Sequence, residues 1–407
     1  MISFQQAREH VVSRCVPRAP LPTRLDDALG CVLAADVLAP EPVPPFANSA
    51  MDGYAVRATD VEAAAEGAPV RLRVAGTILA GSPPDVAVTA GEAVRIMTGA
   101  PIPAGADAVV MVERSAPAGD REVDLTQAVP AGLHVRPAGA DIAAGELIIE
   151  RGTLLGPAHL GVLASVGIRR PPVIPRPRVG VLSTGDELVD DDGPLAPGQI
   201  RETNRPTLVA ALRTHGVDAV DLGTVADDPD ALAAAITEAA RSHDAVVTSG
   251  GVSMGDVDLV KVVLDEIADM AWMQVAIRPA KPFAFGLLEG TPVFGLPGNP
   301  VSSLVSLALL AVPGLRRLAG RADLDLPQFS ATAGAGLGRK PDGRTAYVRV
   351  ICRWSGAGLV ADPVTGQGSH HLAAASSANA LSVLPYGDGV PEGAPVSVIC
   401  LAGPLAS

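Results

Sequence analysis

Three stretches of the chain place carboxylates beside glycines or a helix start: Ser183-Thr184-Gly185-Asp186-Glu187-Leu188, Ala226-Asp227-Asp228-Pro229 and Ser249-Gly250-Gly251-Val252-Ser253-Met254-Gly255-Asp256-Val257-Asp258. Each follows a run of apolar, β-branched residues. In an open parallel sheet, ligands bind where strands end and loops lead into helices, so the three loops are expected to converge on one crevice. Carboxylates gathered there repel one another without a cation, and a hard ion such as Mg²⁺ suits their oxygens. Glycine lets backbone N–H groups approach a phosphate closely, while a bound cation offsets the acids' negative field. The combination suits a phosphorylated ligand. Plainer explanations stand beside it: Asp228 before Pro229 reads as an N-cap with proline at the first helical position, and Ser249-Gly250-Gly251 as a tight turn.

Downstream, Ile277-Arg278-Pro279-Ala280-Lys281-Pro282-Phe283 fixes two cations in a stretch that its prolines keep extended, a setting for anion contact. Gly295-Leu296-Pro297-Gly298-Asn299-Pro300 follows, delivering Asn299 as N-cap and Pro300 as first helical residue, with exposed amides as a second anion seat. Two further runs, Asn48 to Val56 with its Asp52-Gly53 pair and Arg95 to Pro101, read on physics alone as a hairpin turn and a strand ending in a turn.

The elements that must hold these residues follow from periodicity. A helix capped by Ser3 opens the chain, and a second helical segment is expected near Leu25 to Ala35, before the proline-rich exit Ala39 to Pro45. From Phe46 to about Asp141, short β-branched runs between Gly and Pro clusters predict a β insert; Pro157 to Val166 returns to a helical pattern, and prolines 171, 172, 175 and 177 mark a linker. Residues 178 to about 320 alternate strand and helix, the signature of a parallel sheet covered on both faces. Strands recur after Pro327, as in a small barrel or sandwich.

The expected fold is therefore multidomain α/β plus β: a central doubly wound parallel-sheet domain (178–326), an inserted β domain (46–141), a C-terminal β-barrel-like domain (327–407), and a discontinuous helical and linking domain (1–45 and 142–170).

With 407 residues the chain has room for several cores, built mainly of aliphatic residues because aromatics make up only 3%. A net charge of −13 offers no basic stripe for nucleic acid, so any anionic ligand must meet local cations. The start lacks the basic and apolar run of a secretory signal, so a cytoplasmic location is expected. The most apolar stretch, Leu304 to Val312, is expected to be a buried helix ended by Pro313, too short for a membrane span. Cys15, Cys31, Cys352 and Cys400 form no CxxC pair, which predicts buried free thiols; His370 and His371 are adjacent, and neighbouring side chains on a strand or helix diverge, which disfavours a shared metal.

Taken together in order and spacing, the runs Asn48–Val56, Arg95–Pro101, Ser183–Leu188, Ser249–Asp258 and Gly295–Pro300 resemble the molybdopterin molybdenumtransferases, a family related to the gephyrin E domain, over nearly the whole chain. The resemblance implies an enzyme that takes adenylylated molybdopterin and molybdate and releases AMP with the molybdenum cofactor. It implies Mg²⁺ as cofactor, a homodimer, and transient contacts with a molybdopterin adenylyltransferase and acceptor molybdoenzymes, with no nucleic-acid or membrane partner. By motif match, Asp52, Thr98, Asp141, Glu187, Asp228 and Asp258 would be catalytic. Asp186, Glu187, Asp228 and Asp258 would hold the metal, with Asp227 and Asp256 as near alternatives. Substrate would meet Ser183, Thr184, Gly185, Ser249, Gly250, Gly251, Arg278, Lys281, Pro297, Asn299, Pro300 and Ser369. Arg278 stands where such sequences often carry Lys, keeping the charge but presenting a planar fork. Two other classes are weighed against this one. Adenylyltransferases on related sheets are usually the sheet domain alone, and a scaffold would be expected to carry an extended interaction linker.

Overall fold

The structure, a computed structural model, describes residues 1–252, 259–338, 341–356, 358–385 and 387–401. It gathers into two compact units, one of Met1–Thr23, Ala28–Ala34 and Pro172–Ser407, the other of Arg24–Asp27 and Ala35–Pro171.

Helix α1 (Phe4–Arg14) opens the first unit as expected. The Ser3 hydroxyl accepts from the Gln6 amide at 3.1 Å and the Gln6 side chain accepts from the Ser3 amide at 2.9 Å, a closed capping box. The second helical segment expected near Leu25 to Ala35 does not form. A single 3-10 turn, Leu25–Asp27, is followed by Gly30 at φ +74, and Val32–Leu33 pairs as strand with Val173 and Ile174. Long-range pairing of β-branched residues outweighs the weak local helical pattern. The same pairing makes Pro172–Ile174 the central strand of a three-stranded sheet within the proline-marked stretch.

The second unit is built on a six-stranded sheet of β1 (Gly53–Val56), β2 (Val70–Ile78), β3 (Glu92–Ile96), β4 (Ala108–Met111), β5 (Ser115–Gly119) and β6 (Glu122–Leu125), in the order β4-β1-β3-β2-β6-β5. Two separate apolar clusters form on it, one around Val110 and Leu125, the other around Ile78 and Ile96. Helix α2 (Pro157–Ser165) follows, with proline in its first turn.

The first unit holds the α/β sheet: β7 (Arg178–Thr184), α3 (Asn204–Thr214), β8 (Asp218–Val225), α4 (Pro229–Ser242), β9 (Ala245–Ser249), α5 (Leu259–Ile267), β10 (Asp269–Gln274), β11 (Pro282–Leu288) and β12 (Thr291–Leu296). The order is β8-β7-β9-β12-β11-β10. The first four strands are parallel; β11 and β10 add antiparallel pairs that the periodicity did not announce. Glu289 and Gly290, both at positive φ, make the two-residue turn from β11 to β12, the backbone that suits a right-twisted hairpin. Leu208 and Leu212 of α3 pack on one face with α1, whereas Leu232 and Ile236 of α4 pack with Val260 and Leu264 of α5 on the other. The sheet is doubly wound.

Helix α6 (Pro300–Leu318) continues through Pro313 instead of ending there. A π-helical stretch, Leu307–Ala311, loosens the register, and Pro313 then falls in the first turn of the closing α segment, Val312–Leu318, where its missing N–H leaves few bonds unmade. By length and composition this helix could cross a membrane, but 89% of it is buried inside the protein.

Beyond it, β13 (Gln328–Ala333), β14 (Thr345–Ser355), β15 (Gly358–Pro363), β16 (Ala380–Leu384) and β17 (Pro395–Cys400) close a barrel, because β14 pairs with both β15 and β16. All four cysteines are buried, as expected. The His370 and His371 rings do not diverge: they lie in a turn and pack edge to face at 4.1 Å.

Candidate active site

Strand β7 leads to α3 on one face and its neighbour β9 leads to α5 on the other, so the crevice of a doubly wound sheet opens between their carboxyl ends. Ser183, Thr184 and Ser249 are buried at those ends. Gly250 and Gly251 follow at φ +96 and +71, left-handed backbone that a side chain would strain, and the Gly250 amide donates to the Leu296 carbonyl at 3.1 Å. A Cβ on Gly250 would sit 3.4 Å from the Thr184 carbonyl oxygen, and one on Gly298 would sit 3.9 Å from the Gly250 Cα. The loops after β7, β9 and β12 therefore meet, and Asn204, at the start of α3, donates through its side chain to the Gly298 carbonyl at 2.8 Å.

The acids of the first two loops also come together. The Asp227 amide donates to Asp186 at 3.1 Å and the Asp186 amide to Asp227 at 3.4 Å. The Glu187 carboxylate folds back over Gly185, whose Cβ would fall 2.6 Å from its Oε2. Asp228 takes the plainer role: its carboxylate caps α4, accepting from the Ala231 amide at 2.8 Å. Asp256 and Asp258 lie outside the described residues. Among the described residues no three His, Cys, Asp or Glu side chains are grouped to share a metal. Asp186 and Glu187 nonetheless offer the exposed hard oxygens that Mg²⁺ takes when one or two carboxylates hold it and substrate phosphates and water complete the shell.

Arg278 and Lys281, with Ser369 from far along the sequence, line one cavity of about 790 Å³ in the first unit. Arg278 arrives on a two-residue strand, Ile277–Arg278, paired with the start of β14. The Val275 amide donates to the Lys281 carbonyl at 2.7 Å, closing the intervening loop, in which Ala280 takes φ +72. The Val301 amide donates to the Ser369 carbonyl at 3.1 Å and ties the loop after β15 to the first turn of α6. Pro297 is buried and Asn299 exposed in the preceding turn; Asn299 occupies the N-cap position without a side-chain cap bond.

Sequence reasoning missed the third cation of this cavity, Arg344, with Tyr347, Gln367 and Ser302 beside it. The signal was Asp342-Gly343, a turn pair that sets Arg344 immediately before a strand. Asp342 faces Arg344 at 2.5 Å and Arg278 at 3.4 Å. Hydrogen bonding from Arg344, reinforced by the charges of both guanidinium groups, holds its carboxyl at about 2.

In the second unit, Asp52 and Thr98 meet. One Asp52 oxygen accepts from the Thr98 amide at 2.7 Å and from its hydroxyl at 2.8 Å, and the Thr98 bonds, helped by Arg95, lower the Asp52 pKa. Asp141 is exposed, its amide donating to the Val43 carbonyl at 2.9 Å.

Three family profiles match in sequence: the MoeA N-terminal region (domain I and II) over residues 2–167, a probable molybdopterin binding domain over 180–317 and the MoeA C-terminal region (domain IV) over 335–401. A molybdopterin molybdenumtransferase of Haemophilus influenzae is 38% identical over 391 residues, 94% of either chain. Molybdopterin molybdenumtransferase 2 of Mycobacterium tuberculosis is 40% identical over 392 residues, covering 95% of this chain and 96% of that one. A solved molybdopterin biosynthesis MoeA protein from Pyrococcus horikoshii superposes with a TM-score of 0.81 at 34% identity, over 99% of this chain and 100% of that one. On this likeness along its whole length, the chain belongs to the molybdopterin molybdenumtransferase family.

Proposed function

We propose that this protein is a transferase that moves molybdenum from molybdate to adenylylated molybdopterin, releasing AMP and the molybdenum cofactor. One observation carries the reading: the start of α6 borders both the glycine-lined crevice, through Gly298, and the three-cation cavity, through Ser302. Two anions can thus be held side by side in one unit. Molybdate, a tetrahedral dianion, suits Arg278, Lys281 and Arg344 with the Ser369 hydroxyl. The adenylylated pyrophosphate suits the glycine-bearing loops after Thr184, Ser249 and Pro297.

Holding both reactants in register replaces a bimolecular encounter and offsets their repulsion, so the protein needs no covalent nucleophile. Asp186 and Glu187, with Asp228 and Asp258, would hold Mg²⁺, which when bound supplies positive charge at the phosphates. Asp228 has one oxygen committed to its helix cap, so its part is the smaller. Asp52, Thr98 and Asp141 belong to the second unit, and we place them in a site completed by a second copy of the chain, as a homodimer acting in the cytoplasm. Transient contacts with a molybdopterin adenylyltransferase and with acceptor molybdoenzymes complete the reading.

The test is reconstitution. Purified protein with adenylylated molybdopterin, molybdate and Mg²⁺ should release AMP and activate a cofactor-free molybdoenzyme. Formation of pyrophosphate from ATP and molybdopterin would instead identify an adenylyltransferase.

A further inference from the structure

Tyr347, on β14, is 5% exposed, yet it belongs to the lining of the three-cation cavity. Successive strand residues face opposite sides, and β14 divides accordingly. Ala346, Val348 and Val350 pack into the barrel core, whereas Tyr347 packs with Val275, Ile277 and Phe283 of the α/β core. The Phe4 ring, at the start of α1, lies 6.1 Å from the Tyr347 ring at 60° and holds it in place.

The Tyr347 hydroxyl makes no hydrogen bond to the protein among the described residues, and it is not sealed from solvent. A phenol on a buried ring ordinarily finds a partner, and leaving it without one is costly. The cavity is the space that Tyr347 borders, so the free hydroxyl opens there. Burial pushes this phenol up to about 12, so through the neutral range it keeps its proton and can donate it. Gln367, also in the lining, is already committed. Its side-chain oxygen accepts from the Arg349 amide at 3.0 Å, and its nitrogen donates to the Arg349 and Val364 carbonyls at 2.9 and 3.0 Å.

We propose that Tyr347 is a direct contact of the bound oxyanion: its hydroxyl donates to one oxygen of the anion that Arg278, Lys281 and Arg344 attract. The inference rests on the reading of this cavity as the molybdate seat and adds an uncharged donor to it. Lysine and arginine carry their charge on long, rotatable stems. The phenol, fixed by Phe4 and the surrounding core, offers a donor at one place in the wall and so sets the orientation of the tetrahedral anion.

Calorimetric titration of the full-length protein with molybdate, and separately with AMP, compares wild type with Tyr347→Phe, which removes the hydroxyl and keeps the ring against Phe4. The molybdate dissociation constant should rise about tenfold, or about 1.4 kcal/mol, and that of AMP should stay within about twofold. The melting temperature should stay at the wild-type value. Molybdate should also perturb the tyrosine ultraviolet absorption of the wild-type protein, and Tyr347→Phe should abolish that difference signal. Unchanged molybdate binding in Tyr347→Phe, or a difference signal that persists in it, would overturn the proposal. Molybdate and AMP binding weakened in parallel with a fall in melting temperature would also overturn it and leave the hydroxyl a support of the fold. Lys281→Ala separates the two readings. If it leaves molybdate binding intact, the cavity is not the oxyanion seat; if it weakens binding while Tyr347→Phe does not, only the role of Tyr347 fails.

Discussion

At the scale of single residues the proposed oxyanion cavity sets three cations, Arg278, Lys281 and Arg344, against the acid Asp342. Lys281 is half-buried and has no acidic partner among the described residues, so its charge is available to a ligand. Lys281→Ala should raise the molybdate concentration for half-maximal insertion about tenfold, a typical loss for a charge-assisted contact, with little change in melting temperature. Asp342 works the other way, since it occupies the guanidinium groups that an oxyanion would claim. Asp342→Asn should lower half-saturating molybdate about threefold. A rise instead would mean that Asp342 matters more for orienting Arg344 than for competing with the ligand. Its folded pKa lies below the ordinary carboxylate value, so the pairing is fully present above about pH 4 and is lost as pH falls through about 2. Between pH 5 and 8 the substitution should therefore shift the level of the binding curve and not its shape. Arg278 and Lys281 were legible because prolines flank them. Arg344 and Arg349 were not, because an arginine on a β-strand or just before one reads as surface until the barrel closes and buries one and exposes the other to the cavity.

At the scale of elements, the strand-to-helix alternation of residues 178 to 318 was legible because each piece is long and strongly patterned. The misreadings fall where tertiary context overrides a local rule. Val32–Leu33 pairs as strand within an expected helix, and Pro313 sits inside α6 because the π-helical stretch before it shifts the register. Gly314, next to that proline, shows how tightly the helix is held. A Cβ there would lie 2.7 Å from Cγ1 of Val11, 3.0 Å from the Cys15 sulfur and 3.2 Å from Cζ of Phe294. Ala is the better helix former by about 1 kcal/mol, but overpacking a filled core costs about 1–3 kcal/mol. Val11 is fully buried on α1 and has little room to yield, so the clash should win. Gly314→Ala should lower the melting temperature by a few degrees, read by calorimetry, while the molybdate and AMP constants stay at wild-type values. A gain in stability would show that α1 can move away from α6.

For the whole molecule the question is how residues of the second unit would serve a reaction whose proposed anion seats lie in the first. Asp52 and Thr98 bond each other in the second unit, and the bonds from Thr98 lower the Asp52 pKa; an Asp-Thr pair alone could be only a turn support. Nothing in their local sequence pattern distinguishes the two roles, and only the family resemblance raised them. If each crevice is completed by the second unit of a partner chain, a two-fold homodimer contains the composite site twice. An inactive Asp52→Ala chain mixed with an inactive Asp258→Ala chain then makes one site bearing both lesions and one bearing neither in each heterodimer. Random reassortment gives about half heterodimers, so AMP release should recover to roughly a quarter of wild type. Subunit exchange, followed by native mass spectrometry of differently tagged chains, must accompany the assay. Exchange without recovery would place Asp52 and Asp258 in a site built from a single chain, and dimers absent altogether would remove the premise.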